Sequence, residues 1–180
     1  NYLRKENGQG KFILTGKSFS FEILKQNLHM TGKTFEITED DIDDFLEYKK
    51  GRQAFVVLSL LYPNLQYNEI KFDQDHIHPA VMFKPRNLRK LGLDDETIEK
   101  WIEMKDQLPN LQMMEERKNK VKNRTPFKEW IDTKTDSERK SYLKQNFIPD
   151  NGSFKLQEFD HFFEGRKRVL KKILIDTFIN

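Results

Sequence analysis

Apolar positions recur along the chain in short periodic runs separated by Gly, Pro and charged turns, and the period of each run predicts an element. Residues 17–28 carry Phe19, Phe21, Ile23, Leu24 and Leu28, a mixed pattern closer to a short helix than to a strand. Thr38 is a good helix N-cap and acidic residues follow it. Ile42, Phe45 and Leu46 then recur at helical spacing until Gly51 stops the run. From Arg52 to Tyr62 the chain is apolar nearly all round, which predicts a helix at the centre of the core, ended by Pro63 and Asn64. Glu69 to Asp75 alternates, with Ile70 and Phe72 against polar neighbours, and predicts a strand that Pro79 interrupts.

Asp94 caps a predicted helix over Asp95 to Gln107, with Ile98, Trp101, Ile102 and Lys105 on its inner side and Pro109 closing it. Asn110 to Glu115 is a second strand candidate, Glu116 to Asn123 a polar helix, and Phe127 to Ile131 a helix entered through Pro126. Ser137 to Phe147 and a long run from Leu156 complete the pattern; Phe159, Phe163, Leu170, Ile173 and Leu174 form one apolar stripe on the latter. The sum is an α+β domain, mostly helical, in which one small hairpin interrupts the helices.

A length of 180 residues fits one domain with its own core, and 15 Phe spread through both halves supply core material. With no Cys, zinc ribbons, thiol nucleophiles and disulfide frameworks are excluded. The longest apolar run, Ala54 to Tyr62, is far short of the roughly 18 to 20 residues that span a bilayer, so no membrane partner is expected. A start at Asn1 without a signal-peptide pattern suggests a cytoplasmic protein of which an upstream region is missing. The net charge of +3 is small, but its distribution is uneven. Glu36 to Glu47 is acidic, whereas Lys84 to Lys90, Arg117 to Arg124 and Arg166 to Lys172 are basic clusters that suit a polyanion.

One segment concentrates chemistry: Asp73, Asp75, His76 and His78, ending at Pro79. Strand alternation places Asp73 and Asp75 together and turns His76 away, unless the strand ends there, as Pro79 suggests. A carboxylate oxygen is the hard ligand that Mg²⁺ prefers, and a His beside it accepts a proton near neutral pH. His29 and His161 stand alone in helical patterns and read as ordinary surface or core residues.

DQDHIHP, followed downstream by NLQMMEERKNK, resembles the two-part signature of HNH (His-Me finger) endonucleases, and Asn110 and Asn119 keep an N-x8-N spacing. The resemblance implies a ββα-metal finger. In it Asp75 would be a metal ligand, His76 the general base that deprotonates water, Asn119 the second ligand, and Asn110 a support that holds the loop and orients the His. The divalent ion would be Mg²⁺, with Mn²⁺ as the alternative, stabilising the leaving 3′ oxygen. His78 departs from the pattern and is open between a third metal ligand, a phosphate contact and an exposed strand residue; Asp73 matches no catalytic position. Lys118, Lys120, Lys122 and Arg124 around Asn119 would hold the nucleic-acid backbone.

FVVLSLLYP before the DH segment, then PNLQ, the Asn-Lys pair and EWI after it, extend the likeness over Ala54 to Ile131. They resemble the C-terminal HNH domain of GmrSD-type modification-dependent restriction and phage-defence proteins. That implies a single nuclease domain over 1–180: a helical lead-in at about 17–66, a finger at about 69–124 with a helical insertion at 94–107, and C-terminal helices at 125–180. It also implies a ParB-like NTPase domain upstream and DNA, including modified phage DNA, as partner. Two other readings are a binding module with a degenerate finger and a helical protein-interaction domain. The mutual placement of Asp75, His76 and Asn119 discriminates among the three.

Overall fold

The computed structural model describes residues 36–67, 69–150 and 152–179, together with the backbone of two short strands near the start of the chain. The chain forms two compact units, Asn1–Ile37 and Thr38–Asn180. In the first, β1 (Arg4–Glu6) pairs antiparallel with β2 (Phe12–Leu14), Arg4 opposite Leu14. The helix expected over 17–28, and His29 with it, lies outside the described residues.

The second unit is α+β and mostly helical. Helices α1 (Glu39–Glu47) and α2 (Arg52–Leu61) lead into β3 (Phe72–His76). The segment 77–110 then carries α3 (Pro85–Arg89) and α4 (Asp95–Met104) before β4 (Leu111–Glu115). Next come α5 (Glu116–Lys122), α6 (Phe127–Asp132), α7 (Asp136–Gln145) and α8 (Phe159–Phe178).

Local chemistry sets the helix starts. The Thr38 hydroxyl accepts from the Asp41 backbone N–H, while the Asp41 carboxylate accepts from the Thr38 backbone N–H, a reciprocal capping box. Thr135 and Glu138 repeat it at α7, and Asp94 caps α4 through the Thr97 N–H at 2.7 Å. The short helix α3 begins at Pro85, whose fixed φ and missing N–H suit a first turn.

The core gathers on α8. Phe159, Phe162, Phe163, Leu170 and Leu174 are buried along it, while Ile173 of the expected stripe is only half-buried. Phe83 and Trp101 meet Phe159 edge-on at 4.7 and 5.3 Å, and Phe127 meets Phe154 at 5.1 Å, geometries favoured by the ring quadrupoles. Helix α2, expected at the centre, lies at the margin. Ala54, Val57, Leu58 and Leu61 form one buried stripe, but Phe55, Val56 and Leu60 stay 39%, 57% and 46% exposed. A helix packed along one stripe buries one face whatever the other carries.

Arg166 overturns its place in a surface basic cluster, because it is fully buried. Its Nη1 donates to the carbonyls of Pro109 and Leu111 at 2.8 and 2.7 Å, and more weakly to Leu108 at 3.2 Å, while Nε donates to Asn146 at 3.0 Å. One guanidinium thus pins α8 to the chain entering β4, using several of its five donors.

Candidate active site

Strands β3 and β4 are antiparallel, with Asp73 opposite Met114, Asp75 opposite Gln112 and His76 opposite Leu111. Pairing therefore continues through His76, and the alternation of a strand divides the site into two faces. Asp73 and Asp75 turn toward α5; Gln74 and His76 turn the other way.

On the first face, α5 leaves β4 without a break and runs alongside β3. The Glu116 N–H donates to the Lys71 carbonyl at 3.0 Å, Asn119 Nδ2 to Asp73 at 3.1 Å and Lys122 Nζ to Asp75 at 2.9 Å. Asn119 and Lys122, three residues apart, share the helix face that follows the carboxylates up the strand. Lys122 was expected at the surface among the phosphate contacts, but it is 0% exposed. Its ammonium bridges Asp75 Oδ2 and the His76 carbonyl, the latter at 2.6 Å, and burial pushes its pKa down against the pull of Asp75. Gln112 Nε2 donates to the same Asp75 oxygen at 2.8 Å, and the Tyr142 hydroxyl donates to Gln112 Oε1. Breaking such a buried pair from one side costs about 3 to 5 kcal/mol.

The structure thus does not bring Asp75, His76 and Asn119 to one point: Asn119 is bonded to Asp73, and His76 faces away from both. A divalent ion shared by Asp75 and Asn119 does not fit this arrangement, since an ammonium already lies against the Asp75 oxygen and would repel a second cation. Among the described residues, no group of three His, Cys, Asp or Glu side chains gathers where it could hold a metal.

On the opposite face, His76 Nε2 lies 2.8 Å from Asp106 Oδ1. Asp106 follows α4, and its other oxygen is bonded by Lys105 Nζ at 2.5 Å. Burial alone would raise the Asp106 carboxyl, yet the bonds from Lys105 and His76 outweigh it and hold the group below the ordinary carboxylate range. Burial lowers the His76 pKa, Asp106 opposes the fall, and nearby Lys50 adds to it. The ring is therefore neutral at pH 7. Its Nε2–H is directed to Asp106 and its Nδ1 is left as the acceptor, the tautomer a general base requires. Chain neighbours brace the dyad. Gln74 clasps both backbone groups of Gly51 at 3.0 Å, and the Lys50 N–H donates to the Asp106 carbonyl at 2.8 Å. Lys49 pairs with Glu103, whereas Lys50 is exposed at the rim.

No protein-family model matches this chain, and no curated protein matches it.

Asn110 is fully buried and reaches back to the segment after His76. Its Oδ1 accepts from the His78 N–H at 2.9 Å, and its Nδ2 donates to the carbonyls of His78 at 3.1 Å and Lys105 at 2.7 Å. One amide therefore ties the end of β3 to the residue beside Asp106. His78 is neither an exposed strand residue nor open to a phosphate. It is 2% exposed, caged by Phe127, Phe159 and Phe162 at 5.4, 5.5 and 4.6 Å, with Nε2 unpartnered. Burial, helped by the charge of Lys122, pushes its pKa down to about 3.

Of the four expected phosphate contacts, Lys118 and Lys120 are exposed but paired with Glu115 and Glu116, and Arg124 is exposed. His161 is exposed on α8. Sequence reasoning missed Asp106, Lys105 and Lys50. The signal available was a Lys-Asp pair at the end of a predicted helix, just before Pro109, and nothing in its spacing linked it to His76.

Proposed function

We propose that Thr38–Asn180 is a nuclease domain that hydrolyses phosphodiester bonds of DNA, with β3, β4 and α5 as the strands and helix of an HNH finger and His76 as its general base. The observation that carries the reading is the His76–Asp106 pair: an imidazole whose pKa is lowered by burial, held by a carboxylate at 2.8 Å through Nε2, with the charge of Lys50 nearby. In the reaction, Nδ1 takes a proton from water as the water oxygen bonds to phosphorus, and the bond from phosphorus to the leaving oxygen breaks; that oxygen takes a proton from solvent. Asp106 stabilises the imidazolium that forms, and Lys50 offsets charge on the phosphate oxygens. Asn110 acts through the loop, fixing where β3 ends. The Mg²⁺ or Mn²⁺ that the HNH resemblance implies does not fit Asp75 as it is paired here, and no step of this reaction passes through it. The resemblance further implies a ParB-like domain that would choose the target, modified phage DNA included, for restriction.

Nicking of plasmid DNA, modified and unmodified, tests the proposal with and without Mg²⁺ or Mn²⁺. His76→Ala is expected to lose about 10²- to 10⁴-fold in rate, and equal cutting by parent and variant removes His76 from the mechanism. A second reading, a DNA-binding module with a degenerate finger, is favoured by the Lys122–Asp75 pair. It predicts salt-dependent DNA binding without strand scission in every metal tried.

A further inference from the structure

A cleft of about 300 Å³ opens between the start of the segment 77–110, α6 and the chain entering α8. Its walls are apolar, formed by Met82, Leu91, Phe127, Phe154 and Leu156. Of its buried lining residues, only His78 carries a side-chain nitrogen, and its Nε2 has no partner in the protein. Burying an unpaired polar nitrogen is costly, and the cost is recovered when a bound molecule pairs it. Three phenylalanines hold the ring and burial keeps it neutral, so it offers a hydrogen bond without a net charge. At the mouth, Glu129 and Lys155 carry opposite charges and Lys128 is paired with Asp132, so the rim favours neither an anion nor a cation.

We propose that this cleft is a binding site for a small, flat, uncharged aromatic molecule with one hydroxyl, which packs between the apolar walls and pairs its hydroxyl with His78 Nε2. A hydroxyl both donates and accepts, so it serves the imidazole in either tautomer. Volume sets the size: an apolar cavity of about 150 Å³ holds benzene, so twice that volume holds two fused rings. Ligand sites of this kind join apolar walls to a few polar groups that fix orientation. The cleft shares no side chain with the His76–Asp106 pair, so the proposal holds whether or not His76 cleaves DNA. A histidine that merely fills the core makes no such forecast, because it gives no preference for one ligand over another.

Titration of the whole chain with 2-naphthol, followed by methyl NMR, separates the two. In the wild type the methyl groups of Met82, Leu91 and Leu156 should shift saturably, with a dissociation constant of about 0.1 mM. The His78 Nε2 resonance should move with them. Naphthalene, the same two rings without the hydroxyl, should bind about fivefold to tenfold more weakly when the two are compared at one concentration below its solubility. His78→Phe keeps the ring volume and should bind both molecules alike, with its far-ultraviolet signal unchanged. If that variant does not fold, the wild-type comparison and the Nε2 resonance decide alone. Absence of saturable shifts at the three methyl-bearing side chains up to about 1 mM 2-naphthol overturns the proposal. Equal binding of the two molecules by the wild type overturns it too, as does a preference for 2-naphthol that survives in His78→Phe.

Discussion

Replacing His78 by Phe removes one ionisable ring from the cage of Phe127, Phe159 and Phe162 while keeping its volume and the backbone bonds to Asn110. In the folded chain His78 stays neutral down to about pH 3, against an ordinary value of 6.5. The unfolded chain takes up a proton on this ring once the pH falls below 6.5, and the folded chain does not. The unfolded state therefore binds more protons between those two values, and stability rises with pH across that window and is complete above it. The slope is about 1.4 kcal/mol per pH unit, which accumulates to about 5 kcal/mol at the acid end, comparable with the whole stability of a marginal domain. Urea unfolding of wild type and His78→Phe, followed from about pH 7.5 to about pH 4.5, isolates the effect, because carboxylate contributions are common to both. The difference should be flat above pH 6.5 and move by about 3 kcal/mol in favour of the variant by the acid limit. Curves that stay parallel through the whole range refute the cage as the cause.

Asp106→Asn should lower catalysis about 10²-fold or more and move the acid limb of the rate profile downward, since the carboxylate supports the His76 proton; an unmoved limb dissociates the pair. Arg166→Met should cost about 3 kcal/mol or more in urea unfolding, because the carbonyls of Pro109 and Leu111 lose their buried donor. Asn110→Ala strands the His78 N–H and two carbonyls, and a loss of about 2 to 3 kcal/mol with a larger relative loss of nicking rate is expected.

Elements with local causes are legible in the sequence alone. Thr38 and Asp94 announce helix starts through side-chain oxygens three residues from the N–H they bind, and the alternation around Phe72 announces a strand. What escaped was set by distance along the chain. Asp106 reaches His76 from thirty residues away, and nothing in either neighbourhood encodes the meeting. Lys122 looks like any lysine in a basic run until the register of α5 against β3 sets it over Asp75. Pairing through His76, one residue beyond the expected strand, turns the ring from the Asp75 face to the Asp106 face. Apolar content alone overstated the burial of α2, because Phe55, Val56 and Leu60 have the right chemistry for a core yet stay 39%, 57% and 46% exposed.

The two strands that carry Asp75 and Gln112 are joined by the long segment 77–110 rather than by a turn. Bringing such distant ends together costs about 3 kcal/mol of chain entropy, which a pair of five-residue strands recovers poorly by itself. Closure falls to the segment's own contacts, with Asn110 and Arg166 acting as its latches. Ordering of His76 is then tied to the segment rather than to the sheet. Warming that loosens 77–110 should silence the imidazole and open the aromatic core on α8 to deuterated solvent together, because Phe83 and Trp101 of that segment pack on Phe159.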